Sequence, residues 1–216
     1  MKNLKHAVKL TLLLSVLLSP KKGWSQNSLF KSFVGISLAE KGWVLRHPFI
    51  AKKAWNITER VRAVTDSLQK RSIPDQDDSG GKLDAFRHGF WMASLTKKIG
   101  PRRALSLGRA HERGNYHDFK KRRFEDSDIP DKAAGDMDLF NNVIGSVIGI
   151  ELKEKDEKSV IDAVLLAIHD GKMKIILKDA EGRSCDSLMK PIPASAMKGK
   201  WDTPRVLVGS DNKSLQ

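Results

Sequence analysis

Cysteine is nearly absent. Cys185 is the single one in 216 residues, so no disulfide can close within the chain, and if the protein is exported its core packing must hold it together unaided. Cys185 also lies far from the N-terminus, which argues against a lipid anchor on a cysteine. Aromatic residues make up only 6%, and no recognised nucleic-acid motif accompanies the basic clusters, so a solvated basic surface explains them as well as a phosphate-binding stripe does. Several enzyme signatures are missing: a G-x-S-x-G elbow, a Cys/His nucleophile pair, a phosphate loop, a dinucleotide fingerprint and the H-E-x-x-H zinc helix. No internal repeat is visible. Long apolar runs are scarce too. The longest, "LTLLLSVLL", is shorter than the roughly 20 residues of a membrane span.

That run follows Lys2 and Lys5, begins just after Lys9, and is succeeded by polar residues with Gly23 and Ser25. This is the layout of a secretory signal peptide, expected over residues 1–25 with cleavage near Ser25 and a secreted or periplasmic product. Acids are also in short supply: 39 Lys and Arg face 26 Asp and Glu, a formal charge of +13. Setting aside the five lysines of the signal leaves +8, which still attracts anionic partners such as phospholipid, nucleic acid or cell-wall polymer.

What is present is mostly helical. A lead-in over 26–46 precedes a helical domain over 47–180, and a partly ordered tail is expected over 181–216, where Pro, Ser and Lys dominate. Residues 47–70 carry apolar positions at helical spacing with Pro48 in the first turn. Residues 71–82 read as a loop, and 82–99 as a helix ending near Gly100. Pro101 opens another helix, expected to stop at Gly114, and a long polar connection follows to 135. Helices over 136–152 and 156–171 complete a compact all-α bundle of about five, with one short β element near 172–178.

Three of these helices carry polar residues beside strongly apolar stretches. Asp84, Arg87 and His88 lie in "KLDAFRHGFWMASL", with Asp84 and His88 four apart on one face. His111 and Glu112 are adjacent near the end of the next helix. Asp138, Asn141 and Asn142 fall at i, i+3 and i+4 of a third, with Gly145 and Gly149 leaving room for a neighbouring helix. Asp and Asn are poor helix-interior residues, and such lapses concentrate at functional sites. Asp84, His88, His111 and Asp138 are therefore the candidate metal ligands, imidazole and carboxylate suiting zinc, manganese or iron(II). Glu112 is the candidate general base. Arg87 can neutralise a phosphate or developing oxyanion, and Asn141 and Asn142 extend the polar network. The opposing expectation is that these groups satisfy one another and fix helix register without catalysis.

The runs "DAFRHGFWMASL", "GRAHERGN" and "DMDLFNNVIGSVIG" resemble a family of uncharacterised, mostly exported bacterial helical domains that read D-A-F-R-H-A-x-W, A-H-E and M-D-L-x-N-N-x-x-G. The resemblance extends from about His47 to Gly171. It implies that Asp84, Arg87, His88, His111, Glu112, Asp138, Asn141 and Asn142 act together, and it supplies no activity. Gly89 and Met92 stand where the family more often has Ala and Asn. "RH" on a helix also resembles the secreted phospholipases A2, but those need Asp directly after the His, and Gly89 is there instead.

Two functions of different class follow. One is an exported hydrolase, with catalytic Glu112, Arg87 and His88 and a divalent metal as cofactor, acting on a phosphoester or ester in an anionic target. The other is a non-catalytic exported binding domain with a structural polar core and a basic docking face. Convergence of the named residues on an open cleft with unsatisfied polar atoms would favour the first.

Overall fold

The computed structural model describes residues 35–121 and 130–212, so the expected signal segment and the middle of the long polar connection lie outside the described residues. Seven helices are present among them: α1 (Leu38–Arg46), α2 (Pro48–Gln69), α3 (Lys82–Ile99), α4 (Pro101–Lys120), α5 (Lys132–Glu151), α6 (Glu157–His169) and the single turn α7 (Ala194–Met197). Strands β1 (Lys174–Ile176) and β2 (Leu207–Gly209) form one antiparallel pair, with Ile175 opposite Val208. The all-α class holds, but the count exceeds five. The additions are α7 and α1, the latter too short to show a sustained apolar period.

Helix α3 is the hub, packed against α2, α4, α5 and α6. Thirteen of its residues are buried, which explains why its apolar positions do not keep to one stripe. Gly81 precedes α3 and offers no side-chain cap; the Asp75 carboxylate instead accepts from the backbone of Lys82 and Leu83, both at 3.0 Å. Against α3 lies α5, and here small residues set the distance. A Cβ on Gly145 would strike the carbonyl oxygen of Gly89, and one on Gly149 would lie 2.5 Å from that of Ala93. The two backbones touch, as the glycine spacing predicts.

Gly114 does not stop α4, which runs on to Lys120. Glycine serves there for space: a Cβ would meet the Ser37 hydroxyl that caps α1. The polar connection expected from 114 is thus helical in its first part.

The segment beyond Gly182, where helical periodicity fades, folds back through the β1–β2 pair and two isolated bridges, Lys178 to Ser184 and Cys185 to Pro191. Arg205, its side chain 7% exposed, pairs with buried Asp131, its Nε 2.7 Å from Oδ2. Asp131 also caps α5 by accepting from the Ala134 amide at 2.9 Å. The C-terminal segment is therefore fastened to the end of the helix that carries Asp138.

A candidate metal centre beneath an interhelical cleft

Asp84 and His88, one turn apart on α3, meet Asp138 from α5. His88 Nε2 lies 3.5 Å from Asp84 Oδ1 and 3.4 Å from Asp138 Oδ1, and all three residues are buried. These separations exceed a good hydrogen bond of ~2.7–3.2 Å. They do match the ~3.3–3.6 Å between ligands held tetrahedrally ~2.0–2.2 Å from one ion. One ligand atom from each of the three lies within 4.8 Å of the others. The donor set suits zinc or manganese.

Asp84 is tightly positioned. Its Oδ2 accepts from the Gly80 amide at 2.8 Å and its Oδ1 from Arg87 at 2.5 Å. Gly80 is held in turn, because its carbonyl accepts from the Ile176 amide of β1 at 2.8 Å. Lys178, just beyond β1, donates to the Ser79 carbonyl at 2.7 Å. The small sheet thus supports the loop that orients a candidate ligand, a job comparable to the outer-shell contacts of metal sites.

Burial pushes the His88 imidazole well below its ordinary pKa, and the positive charges of Arg87 and His111 push it further. A neutral ring is the form that ligates a metal. The Asn142 side chain lies near enough to favour protonation, yet the two do not meet at hydrogen-bond geometry. His88 Nδ1, both polar atoms of Asn142 and Oε1 of Glu112 are buried without a hydrogen-bond partner among the described residues. Buried polar atoms are paired in most proteins, so four such atoms on three neighbouring site residues point to an unfilled role.

His111 stands outside the cluster of three. It lies close to His88, with ring centroids 6.3 Å apart, but its Nδ1 is committed to Glu40 at 3.0 Å. Burial alone would lower the His111 pKa; the Glu40 bond, then the Glu112 and Glu40 charges, raise it above the ordinary value despite Arg87. Burial likewise raises Glu40, but the His111 bond and charge, with two bonds to Ser37, outweigh it and hold the carboxyl at about 2. Both shifts favour the charged forms, an imidazolium facing a carboxylate. Glu40 is the site residue that the sequence reading left out, although Ser37-Leu38-Ala39-Glu40 has the S-x-x-E form of a capping box. The structure contains that box: Ser37 N donates to Glu40 Oε2 at 2.9 Å and Glu40 N to Ser37 Oγ at 3.2 Å.

Glu112 lies in the same neighbourhood. Burial raises its pKa; His111 and the 3.1 Å bond from Asn115 oppose this, the Asp84 charge adds to it, and Arg87 opposes it. Asn141 turns elsewhere. Its amide exchanges two 2.9 Å hydrogen bonds with the Lys174 backbone, fixing β1 on α5. Of the two expected network residues, only Asn142 faces the site.

The cluster borders a cleft of about 410 Å³ between α1 and α2, floored by α3 and α4. Arg87, His88 and Trp91 line it from α3, His111 and Leu107 from α4. Helix, cluster and cleft define an all-helical domain with a buried acid–histidine centre beside a ligand-sized opening, since small-molecule sites span roughly 300–1,000 Å³. The chain belongs to the family described as a domain of unknown function, DUF6973, whose model matches residues 41–172. The match takes in α2 through α6 and every residue of the cluster. No curated protein and no solved structure matches the chain.

Proposed function

We propose that the protein is an exported hydrolase in which a divalent metal, zinc or manganese, held by Asp84, His88 and Asp138, assists cleavage of an ester or phosphoester in an anionic substrate. The observation that carries this reading is the His88 imidazole at ligand-like distance from each of two buried carboxylates, beside an open cleft. When bound, such an ion polarises a carbonyl or phosphoryl oxygen and makes water more acidic.

The chain's own residues supply the rest. Glu112, its carboxyl pKa raised by burial, takes a proton from the attacking water as the water oxygen bonds to the carbonyl carbon or phosphorus. The ester bond breaks, and the leaving alcohol carries away a proton returned by Glu112. Arg87 and protonated His111 hold positive charge where the substrate's anionic group and the developing oxyanion would lie. Glu40 keeps His111 charged and oriented. The signal-like N-terminus and the basic balance support export to an anionic target.

One observation favours the second reading, a binding domain with a structural core: both oxygens of Asp84 already accept hydrogen bonds. The orphaned atoms of His88, Asn142 and Glu112 weigh against it, because a purely structural network would satisfy them.

Elemental analysis of protein purified without chelator, with melting curves in zinc, manganese and chelator, separates the two. The hydrolase reading expects bound metal, a melting point raised by the ion, and loss of both metal and ester hydrolysis in His88→Ala with the fold kept. A structural His88 leaves a partner unpaired at a cost of about 1–3 kcal/mol. The variant would then melt several degrees lower, at ~2–4 °C per kcal/mol for this size. That result, in a protein indifferent to metal and chelator, overturns the hydrolase.

A further inference from the structure

The cleft is polarised along its length. Helices α1 and α2 join at His47, and the lining near that corner is apolar: Trp43 and Val44 on α1, Ala51, Ala54 and Trp55 on α2. Farther along, the lining changes. Glu40 follows on α1, and Thr58, Arg62, Thr65 and Asp66 follow on α2, with Ile36 and Val61 as apolar members among them, while His88 and Arg87 lie on the floor. Thr58 accepts the indole N–H of Trp91 at 2.9 Å, which marks the boundary between the two halves. The apolar half runs from position 51 to position 58 on α2, about 10 Å at 1.5 Å per residue. In the polar half the buried Thr65 hydroxyl has no hydrogen-bond partner among the described residues.

The outside of the same corner is unusual for a basic protein surface. Phe49 is 81% exposed and Leu45 40%, with Arg46, Lys52 and Lys53 exposed around them. Apolar side chains ringed by cations are what an anionic lipid surface receives: the rings and aliphatic tips enter the headgroup boundary and the cations pair with phosphates.

We propose that the cleft takes a single acyl chain of an anionic lipid in its apolar half, with the head group against Arg87 and the Thr65 hydroxyl, and that the Leu45–Phe49 corner docks on the lipid surface from which the chain enters. This rests on the hydrolase reading for what happens at His88, but not for binding. The occupant follows from the two halves together. A polar substrate leaves the tryptophan-lined half wet, and a purely apolar ligand leaves the buried Thr65 hydroxyl without a partner beside the positive charge of Arg87, which Asp84 holds at the cleft floor.

The test is binding of butyl, hexyl and octyl phosphonate, whose C–P bond cannot be hydrolysed and the longest of which matches the length of the apolar half, followed by tryptophan fluorescence on the full chain. Affinity should rise roughly threefold per added methylene as apolar surface is buried. Ala51→Trp, which fills the apolar half from a partly exposed position, should cost at least about tenfold in affinity for the octyl probe and leave the butyl probe less affected. Phosphatidylglycerol vesicles should retain the parent in flotation. Phosphatidylcholine vesicles should not, and the exposed pair Leu45→Asp with Phe49→Asp should abolish retention while phosphonate binding persists. Affinity independent of chain length overturns the proposal, as does equal flotation on both vesicles. If soluble short esters are hydrolysed with no chain-length dependence, the acyl site falls and the hydrolase stands. If the phosphonate series behaves as expected but the protein holds no metal and cleaves nothing, the acyl site stands and the hydrolase falls.

Discussion

Glu40 and His111 show how one residue changes the chemistry of a site it does not belong to in sequence. The carboxylate closes the capping box of α1 and, 71 positions away, holds the His111 imidazole charged beside the cleft. The pair has a pH signature. Glu40, depressed to about 2 from an ordinary 4.5, adds stability that is present above pH 4.5 and lost as pH falls through about 2. His111, raised above its ordinary 6.5, adds stability that is present below pH 6.5 and lost as pH rises through its folded value. The full contribution therefore lies between pH 4.5 and 6.5. Because His111 is partly exposed, solvent screening limits it to about 1 kcal/mol. Glu40→Gln should lower stability by that amount in this window, and the difference from the parent should fade at higher and at much lower pH. Urea melts across the range check it, and a deficit that never fades as pH rises would rule out the loss of a proton from His111 as its source.

At the scale of elements, the crossing of α3 and α5 decides whether Asp138 reaches His88. The contact at Gly145 and Gly149 is backbone against backbone, so no side-chain rotation can absorb an added methyl. Gly149→Ala should cost ~1–3 kcal/mol through overpacking. The same displacement moves α5, and with it Asp138, away from α3. The variant should accordingly bind zinc or manganese more weakly than its lowered melting point alone explains. Isothermal titration at a temperature where the variant is fully folded is the measurement, and unchanged metal affinity would show that Asp138 is not placed by this crossing. Asp131 and Arg205 act on the other end of α5, where the cap and the buried ion pair set its starting point.

For the whole molecule, the proposed export bears on all the other readings. No helix among the described residues is long and apolar enough to cross a membrane, and the signal-like run lies outside them. Cleavage near Ser25 would remove five lysines and leave a basic chain, so the proposed attraction to an anionic surface does not depend on the signal. Intact mass of the naturally exported protein should correspond to a chain beginning near Gln26. A mass that retains the first 25 residues would refute cleavage and leave an N-terminal anchor in its place.

Local pattern carried much of this structure. Helical periodicity, Pro48 and Pro101 at helix starts and Gly100 between helices place α2 to α6 within a few residues, except for the end of α4, because the 3.6-residue period and terminal hydrogen-bond demands act over short distances. The same periodicity puts Asp84 and His88 on one face, and Asp138 and Asn142 on another. Where those faces point is not a local matter. Asn141 sits among the motif residues, yet its amide is taken by the Lys174 backbone. His111 is drawn to a helix whose short pattern carries little signal, and Gly114 reads as a stop until Ser37 packs against it. The cleft exists because α1 packs on α4 and α2 on α3, leaving a gap between two helices that are neighbours in sequence. Each of these outcomes depends on contacts between segments tens of residues apart, whose energies no short window of sequence contains.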